Sequence, residues 1–335
     1  MLISSAPLRF SLNGGGSDLP SFLEHSDGLA VSMPLNKRVY ITLHESFSGH
    51  FRVAYSKIEE AEKIEDIQHP IVRASLGLLD WRGPGLEITS IADVPSNGTG
   101  LGSSSAFTVA LISGISHLQG RTLLPFEIAK LACEVEIEIL KSPIGYQDQY
   151  GCAMADLNAY RFFHGGKVVV EPIFENLTDK MNFLQNLNDS LLFFWVDQPR
   201  SANTILDAQQ NKLRNDSSAI ELTNRMVNLA QDSISCIRAN DLEQLGNLLT
   251  LGWGLKSTLN GDFLDPTISG LYEWSLSSPI HGAKLLGAGG GGFLAVLADK
   301  KHHRKVIDQI SQNHKKYDAR VEISGLNVQL FGGRH

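Results

Sequence analysis

The amino-acid sequence predicts an α+β protein built as two domains, on three observations. Its 335 residues are long for one hydrophobic core and comfortable for two packed side by side. Strand-like and helix-like stretches mix along the whole chain, without the regular alternation of a doubly wound sheet. A polar, Asn-rich stretch, ENLTDKMNFLQNLND at 175–189, then interrupts the pattern, and the helices beyond it cluster before the final strands. The division is placed at 180, giving domains over 1–180 and 181–335.

In chain order, runs rich in aromatic and β-branched residues predict strands at 39–43, 51–55, 86–91, 191–196, 293–298 and 328–331. Phe107, Leu111, Ile115 and Leu118, three or four apart, predict a helix over 104–118. A second helix is predicted over 125–140, with Pro125 at its start and Ile128, Leu131, Ala132 and Val135 on one face. Further helices are predicted near 216–238, 241–258 and 267–277, with a polar one near 301–314.

Composition closes off several classes. Hydrophobic residues are 42% and charged residues 19%, ordinary for a folded chain, which excludes disorder and fibres. The formal charge of −7 supplies no basic field for nucleic acid or an acidic membrane. Cys133, Cys152 and Cys236 are odd in number and show no C-x-x-C spacing, against a disulfide framework or a zinc site. The start, MLISSAPLRF, lacks the character of a signal peptide, and apolar runs such as LLFFWV are too short to span a bilayer. The expectation is a soluble, cytoplasmic protein with a small-molecule substrate.

Glycines concentrate at three stations: 13–18 (NGGGSD), 97–105 (NGTGLGSSS) and 287–292 (GAGGGG). Such clusters mark backbone that turns sharply or approaches something closely. The middle station follows a strand and opens a strongly periodic helix. Free N–H groups and the helix dipole make that an anion site, and its three serines can reach phosphate or metal; a simple helix cap after a glycine turn is the alternative. It is no P-loop, because the only Gly-Lys pair, at 166–167, is followed by Val168. The third station fits G-x-G-x-x-G through Gly287, Gly289 and Gly292. It precedes a strand instead of opening a helix, so the dinucleotide reading fails. Hydrolase and metalloprotease motifs are missing too.

Carboxylates follow the second helix. Glu134, Glu136 and Glu138 alternate and cannot share one helical face, and a buried one would want a cation. Pro143 and Gly145 stop the helix, so Asp148 is expected on a loop, as a proton acceptor or as a turn or capping residue. Near the start, Arg9 can neutralise charge beside a base, and Asp18 can accept hydrogen bonds from hydroxyls. A surface ion pair and a turn residue are their alternatives.

Taken in order, APLRFSLNGGGSD, VPSNGTGLGSSSA and GAKLLGAGGGGFLAVL resemble the three motifs of the GHMP kinases, the superfamily of galacto-, homoserine, mevalonate and phosphomevalonate kinases. GGGSDLPSF, LNKRVYITL, GYQDQYG and GWGLKSTL are similar to the branch that phosphorylates D-glycero-D-manno-heptose 7-phosphate. VDQPRSANTIL at 196–206 departs from that branch, which more often carries Thr-Gly ahead of the Arg.

The resemblance implies a GHMP fold: an N-terminal α+β domain, a ferredoxin-like C-terminal one, and the active site in the cleft between them. It implies an ATP-dependent sugar kinase using Mg²⁺. Gly98, Gly100, Leu101, Gly102, Ser103, Ser104 and Ser105 would bind ATP, with Ser104 and Glu136 on the metal. Asp148 and Arg9 would be the catalytic pair. Gly15, Gly16, Asp18 and Arg200 would bind the substrate, with Arg200 on a sugar phosphate. Trp81 and Arg82, within 55–83, are candidates for the adenine by position alone. A kinase of an unphosphorylated sugar such as fucose or galactose, and a silent GHMP-fold binding protein, are the alternatives. Whether the chain forms a homodimer stays open.

Overall fold

The structure, a computed structural model, describes residues 1–95, 98–197, 202–261 and 265–331. Its larger sheet is organised around one long strand. β1 (Leu2–Ser11) pairs antiparallel with β2 (Gly28–Glu45). The far half of β2 pairs with β5 (Leu86–Ala92), which runs parallel to β3 (Phe51–Ala54), itself paired with β4 (Ile58–Ala61). The near half of β2 pairs instead with β6 (Asn158–Phe163), followed by β7 (Lys167–Pro172). The smaller sheet has the order β11 (Lys315–Tyr317), β8 (Leu191–Val196), β10 (Gly292–Leu297), β9 (Gly282–Leu285). The final strand, β12 (Asn327–Leu330), returns to the larger sheet and pairs with β1, so that sheet draws on both ends of the chain.

The helices follow the sequence pattern closely. α1 (Pro20–Leu23) and α2 (Pro70–Leu78) both begin at proline, as does α4 (Pro125–Cys133). α3 (Ser103–Leu118) packs on β1 and β2 and is apolar on nearly every side, so it is buried almost throughout. Gly114 lets it approach the sheet, since a Cβ there would stand 2.4 Å from Leu43. Beyond α4 the chain loosens into a π-turn over Glu134–Ile139, where a continuous helix to 140 is expected from the apolar face. α5 (Gln147–Met154) follows, and the stretch read as a polar break is itself a helix, α6 (Leu177–Ser190), with Phe183, Leu184 and Leu187 inward. α7 (Ala202–Asn215), α8 (Ser217–Ala239), α9 (Leu242–Leu259) and α10 (Pro266–Ser277) come next, then the short α11 (His303–Ile310). Asn176, Asp216, Asp241 and Asp265 cap α6, α8, α9 and α10 through side-chain oxygens.

Alternation along β1 decides what reaches the site. Ala6, Leu8, Phe10 and Leu12 are fully buried in the core, which sends Arg9 and Ser11 to the opposite face. The β1–β2 ladder shifts between Pro7 and Arg9, passing from Pro7 opposite Arg38 to Arg9 opposite Pro34. Irregularities of this kind re-aim a side chain next to a site. No helix among the described residues is long and apolar enough to cross a membrane. Cys133, Cys152 and Cys236 are all free and buried.

Candidate active site

All three glycine stations open on one cavity of about 830 Å³. Its walls include Gly15, Gly16 and Asp18 from the first station, Gly98, Gly100, Gly102, Ser103, Ser104 and Ser105 from the second, and Gly287 from the third. The second and third stations touch. A Cβ on Gly100 would lie 2.3 Å from the Leu286 carbonyl oxygen, and one on Gly287 would lie 2.4 Å from the Gly100 Cα. Gly98, Gly100 and Gly102 hold φ near +70°, a region open to glycine without cost. Gly102 is the cap of α3, so the helix's first N–H groups face the cavity with no side chain capping them. Leu101, in the middle of this loop, turns its side chain into the core; its carbonyl accepts the Arg9 backbone N–H at 3.0 Å.

Arg9 and Asp148 meet beneath that loop. The guanidinium Nε and Nη2 donate to Asp148 Oδ1 at 2.8 and 2.7 Å, and Nη1 donates to the Gly100 carbonyl at 2.7 Å. Arg9 is 5% exposed, while the Asp148 side chain, on the cavity wall, is 28% exposed. Asp148 lies in the first turn of α5 and not on a loop as expected. The turn after Gly145 is tighter than proline and glycine punctuation alone foretells, because Asp18 caps the new helix from outside. Its Oδ2 accepts the Gln147 N–H at 3.0 Å, its Oδ1 the Gly16 N–H at 2.9 Å, and its backbone carbonyl the Tyr146 N–H at 3.3 Å. A Cβ on Gly145 would stand 2.1 Å from Asp18 Oδ2, so glycine is required there. Burial pushes the Asp18 carboxyl above its usual range, and the nearby Asp148 adds to that, against the two amide bonds.

Glu136 is buried in the π-turn, while Glu134 and Glu138 are exposed. Three side-chain donors hold it. Ser104 Oγ donates to its Oε1, and Ser105 Oγ and Gln149 Nε2 to its Oε2, each at 2.8 Å. Burial raises its pKa and these three donors counter it. A π-bulge is a common device for aiming a functional group out of a helix.

Two lysines and a tryptophan that sequence reading did not single out also face the cavity: Lys256 of α9, Lys284 of β9 and Trp195 of β8. Lysines on amphipathic elements read as solvated, and only the packing of the two sheets turns these inward. Lys284 Nζ donates to the Ser11 carbonyl at 3.2 Å and to that of Leu12. Trp81 packs against the core with its Nε1 donating to the Pro84 carbonyl, and Arg82 pairs with Asp80; neither lines the cavity. Arg200 lies outside the described residues.

A glycine-lined loop at a helix start, beside a carboxylate paired with arginine, is an arrangement suited to phosphoryl transfer. Comparison with known proteins agrees. Residues 69–156 match the GHMP kinases N terminal domain and residues 233–316 the GHMP kinases C terminal domain, together just over half of the chain. The chain is 26% identical over 310 residues to a D-glycero-alpha-D-manno-heptose 7-phosphate kinase of Campylobacter jejuni, covering 88% of this chain and 89% of that one. It is 24% identical to the bifunctional fucokinase/GDP-fucose pyrophosphorylase of Arabidopsis thaliana, over 94% of this chain but 31% of that longer protein. Its fold superposes with a TM-score of 0.79, at 21% identity, on a D-glycero-D-manno-heptose 1-phosphate kinase from Bacteroides thetaiotaomicron, covering 99% and 100% of the two chains. The chain belongs to the GHMP kinase family, with that family's two-part α+β fold. It is an ATP-dependent phosphotransferase that takes an alcohol group as acceptor.

Proposed function

We propose that this kinase phosphorylates the anomeric hydroxyl of D-glycero-D-manno-heptose 7-phosphate, with Asp148 as the proton acceptor and Arg9 as its partner. The observation that carries the assignment of roles is the Arg9–Asp148 contact of 2.7 Å on the wall of the glycine-lined cavity. The heptose is favoured by likeness to the Campylobacter jejuni enzyme across nearly the full length of both chains. In this reading residues 1–180 furnish the phosphate loop and Asp148, and 181–335 the third glycine station.

The amides at the start of α3 bind the phosphates of ATP, helped by the helix dipole. The acceptor oxygen forms its bond to the γ-phosphorus as the bond from that phosphorus to the β,γ-bridging oxygen breaks. The leaving electron pair departs on ADP, and the hydroxyl proton passes to Asp148. Arg9 orients Asp148 through two of its donors. Ser104 and Glu136 fit Mg²⁺: both offer hard oxygen donors on the cavity wall, and magnesium with a nucleotide needs only one or two protein oxygens. When bound, the ion neutralises charge on the β- and γ-phosphates. Gly15, Gly16 and Asp18 line the acceptor side, and Arg200 is assigned to the sugar's own phosphate.

The test is ATP consumption with Mg²⁺ over heptose 7-phosphate, mannose 6-phosphate, fucose, galactose and mevalonate. Turnover on the heptose phosphate far above the rest is expected. Preference for a neutral sugar would discard the heptose and keep the mechanism, and the fucokinase relative makes fucose the informative comparison.

A further inference from the structure

The cavity holds three cations among the described residues: Arg9, Lys256 and Lys284. Two are spent on the protein. Arg9 gives its Nε and Nη2 to Asp148 and its Nη1 to the Gly100 carbonyl, and Lys284 is held by the carbonyls of Ser11 and Leu12. The Lys256 ammonium alone has neither a hydrogen bond nor an ion pair among the described residues, although the side chain is partly buried and within the electrostatic reach of Asp18, Asp148 and Arg9. An ammonium withdrawn from water without a partner costs free energy, so a site that retains one is shaped for an anion that arrives later.

We propose that Lys256 is a catalytic residue of this kinase, making an ionic contact to the γ-phosphoryl group of ATP and holding its charge while it passes to the acceptor. The proposal rests on the cavity being the ATP and acceptor cleft. Its physical basis is position. The phosphoryl group in transit must lie within bonding distance of the hydroxyl that Asp148 deprotonates, and Lys256 of α9 lines the same cavity as Asp148 and the loop at the start of α3, within electrostatic reach of Asp148. A phosphate on the far end of a sugar would lie several bonds away from the hydroxyl. Arg9, committed to Asp148 and to the loop carbonyl, orients the base, and Lys256 supplies the mobile charge; the ammonium keeps its proton throughout. With a flexible four-carbon stem it can follow the phosphoryl group in a way that a fixed guanidinium fork cannot.

The experiment compares wild type with Lys256→Met and Lys256→Arg in Mg²⁺. Calorimetric affinities for ATP and ADP are measured alongside kcat and acceptor KM on an acceptor the wild type uses. Lys256→Met should leave ADP affinity nearly unchanged, reduce the preference for ATP over ADP by about tenfold, and lower kcat by about 10²-fold. Lys256→Arg should recover part of both. The nucleotide-free Lys256→Met protein should melt no lower than wild type, since the ammonium has no protein partner to lose. An unchanged ATP-over-ADP preference with unchanged kcat overturns the proposal. So does a rise confined to the KM of a phosphorylated acceptor, which gives Lys256 to the acceptor's phosphate. Wild type that binds neither nucleotide overturns the cleft assignment and this inference with it, and is told apart from failure of the inference alone, where wild type binds both.

Discussion

At the scale of single residues, chemistry here depends on which donors are already engaged. Asp148 has one oxygen, Oδ1, in the Arg9 fork, and a side chain open to the cavity. Asp148→Asn keeps the shape and removes the proposed proton acceptor, so kcat should fall by about 10²- to 10⁴-fold while calorimetric ATP affinity stays near wild type. Equal turnover would remove Asp148 from the mechanism. Arg9→Lys keeps the charge but cannot reach Asp148 twice and Gly100 once, so it should also lose turnover. Arg9 and Asp148 were legible as candidates from their places beside a glycine station and a helix end, Ser104 and Glu136 through the family resemblance, and all four line the cavity. Lys256 and Lys284 were not legible: a lysine on an otherwise apolar helix or at the start of a strand is ordinary, and its meaning comes from the wall it faces. Asp18 was legible as a site residue, yet its capping of α5 was not, since the two are 129 residues apart.

At the scale of elements, the site is three backbone pieces held at short range by missing side chains. The loop at the start of α3, proposed to hold the phosphates of ATP, leans on the third glycine station, with Gly100 and Gly287 in close backbone approach. Gly100→Ala would place a methyl group 2.3 Å from the Leu286 carbonyl and force alanine to φ near +71°. The loop must then lift away, with a cost of about 1–3 kcal/mol in stability and a larger loss in ATP affinity, read by thermal melts and calorimetry. Gly145→Ala attacks a different joint. Its Cβ would lie on the Asp18 carboxylate, so the start of α5 shifts and carries Asp148 with it. It should lower kcat with little change in ATP affinity, the reverse of the Gly100 variant. The glycine clusters announced close approach, and the structure supplies the partners. The π-turn could not be foreseen: an apolar stripe running through 135 looks like an unbroken helix, and only the demand of Ser104, Ser105 and Gln149 for one buried carboxylate explains the extra residue.

At the scale of the whole molecule, the smaller sheet reaches the larger one through charge as well as packing, and that makes stability and ligand binding respond to pH in opposite ways. Lys284 of β9 donates to Ser11 and Leu12 at the end of β1, and burial pushes its ammonium well below the usual lysine range. Lys256 is pushed down to about 8, chiefly by burial, with Asp18 and Asp148 pulling back and Arg9 adding to the fall. Asp18, Asp148, Arg9 and Lys284 are the charged groups that act on it from around the cleft. Between about 8 and the ordinary lysine value of 10.5, the unfolded chain holds a proton at Lys256 that the folded chain has released. The folded state therefore gains stability as pH rises through that window, and loses it again on the way down to neutrality. A bound phosphoryl group reverses the preference, because it favours the charged ammonium. The rise in melting temperature on adding ATP should thus be largest near about pH 7 and shrink by about pH 9.5. In Lys256→Met the same rise should be smaller at neutral pH and flatter across the window, with Lys284 contributing whatever slope remains. A wild-type shift that stays constant from pH 7 to 9.5 would mean that no ammonium titrating in this range meets the nucleotide.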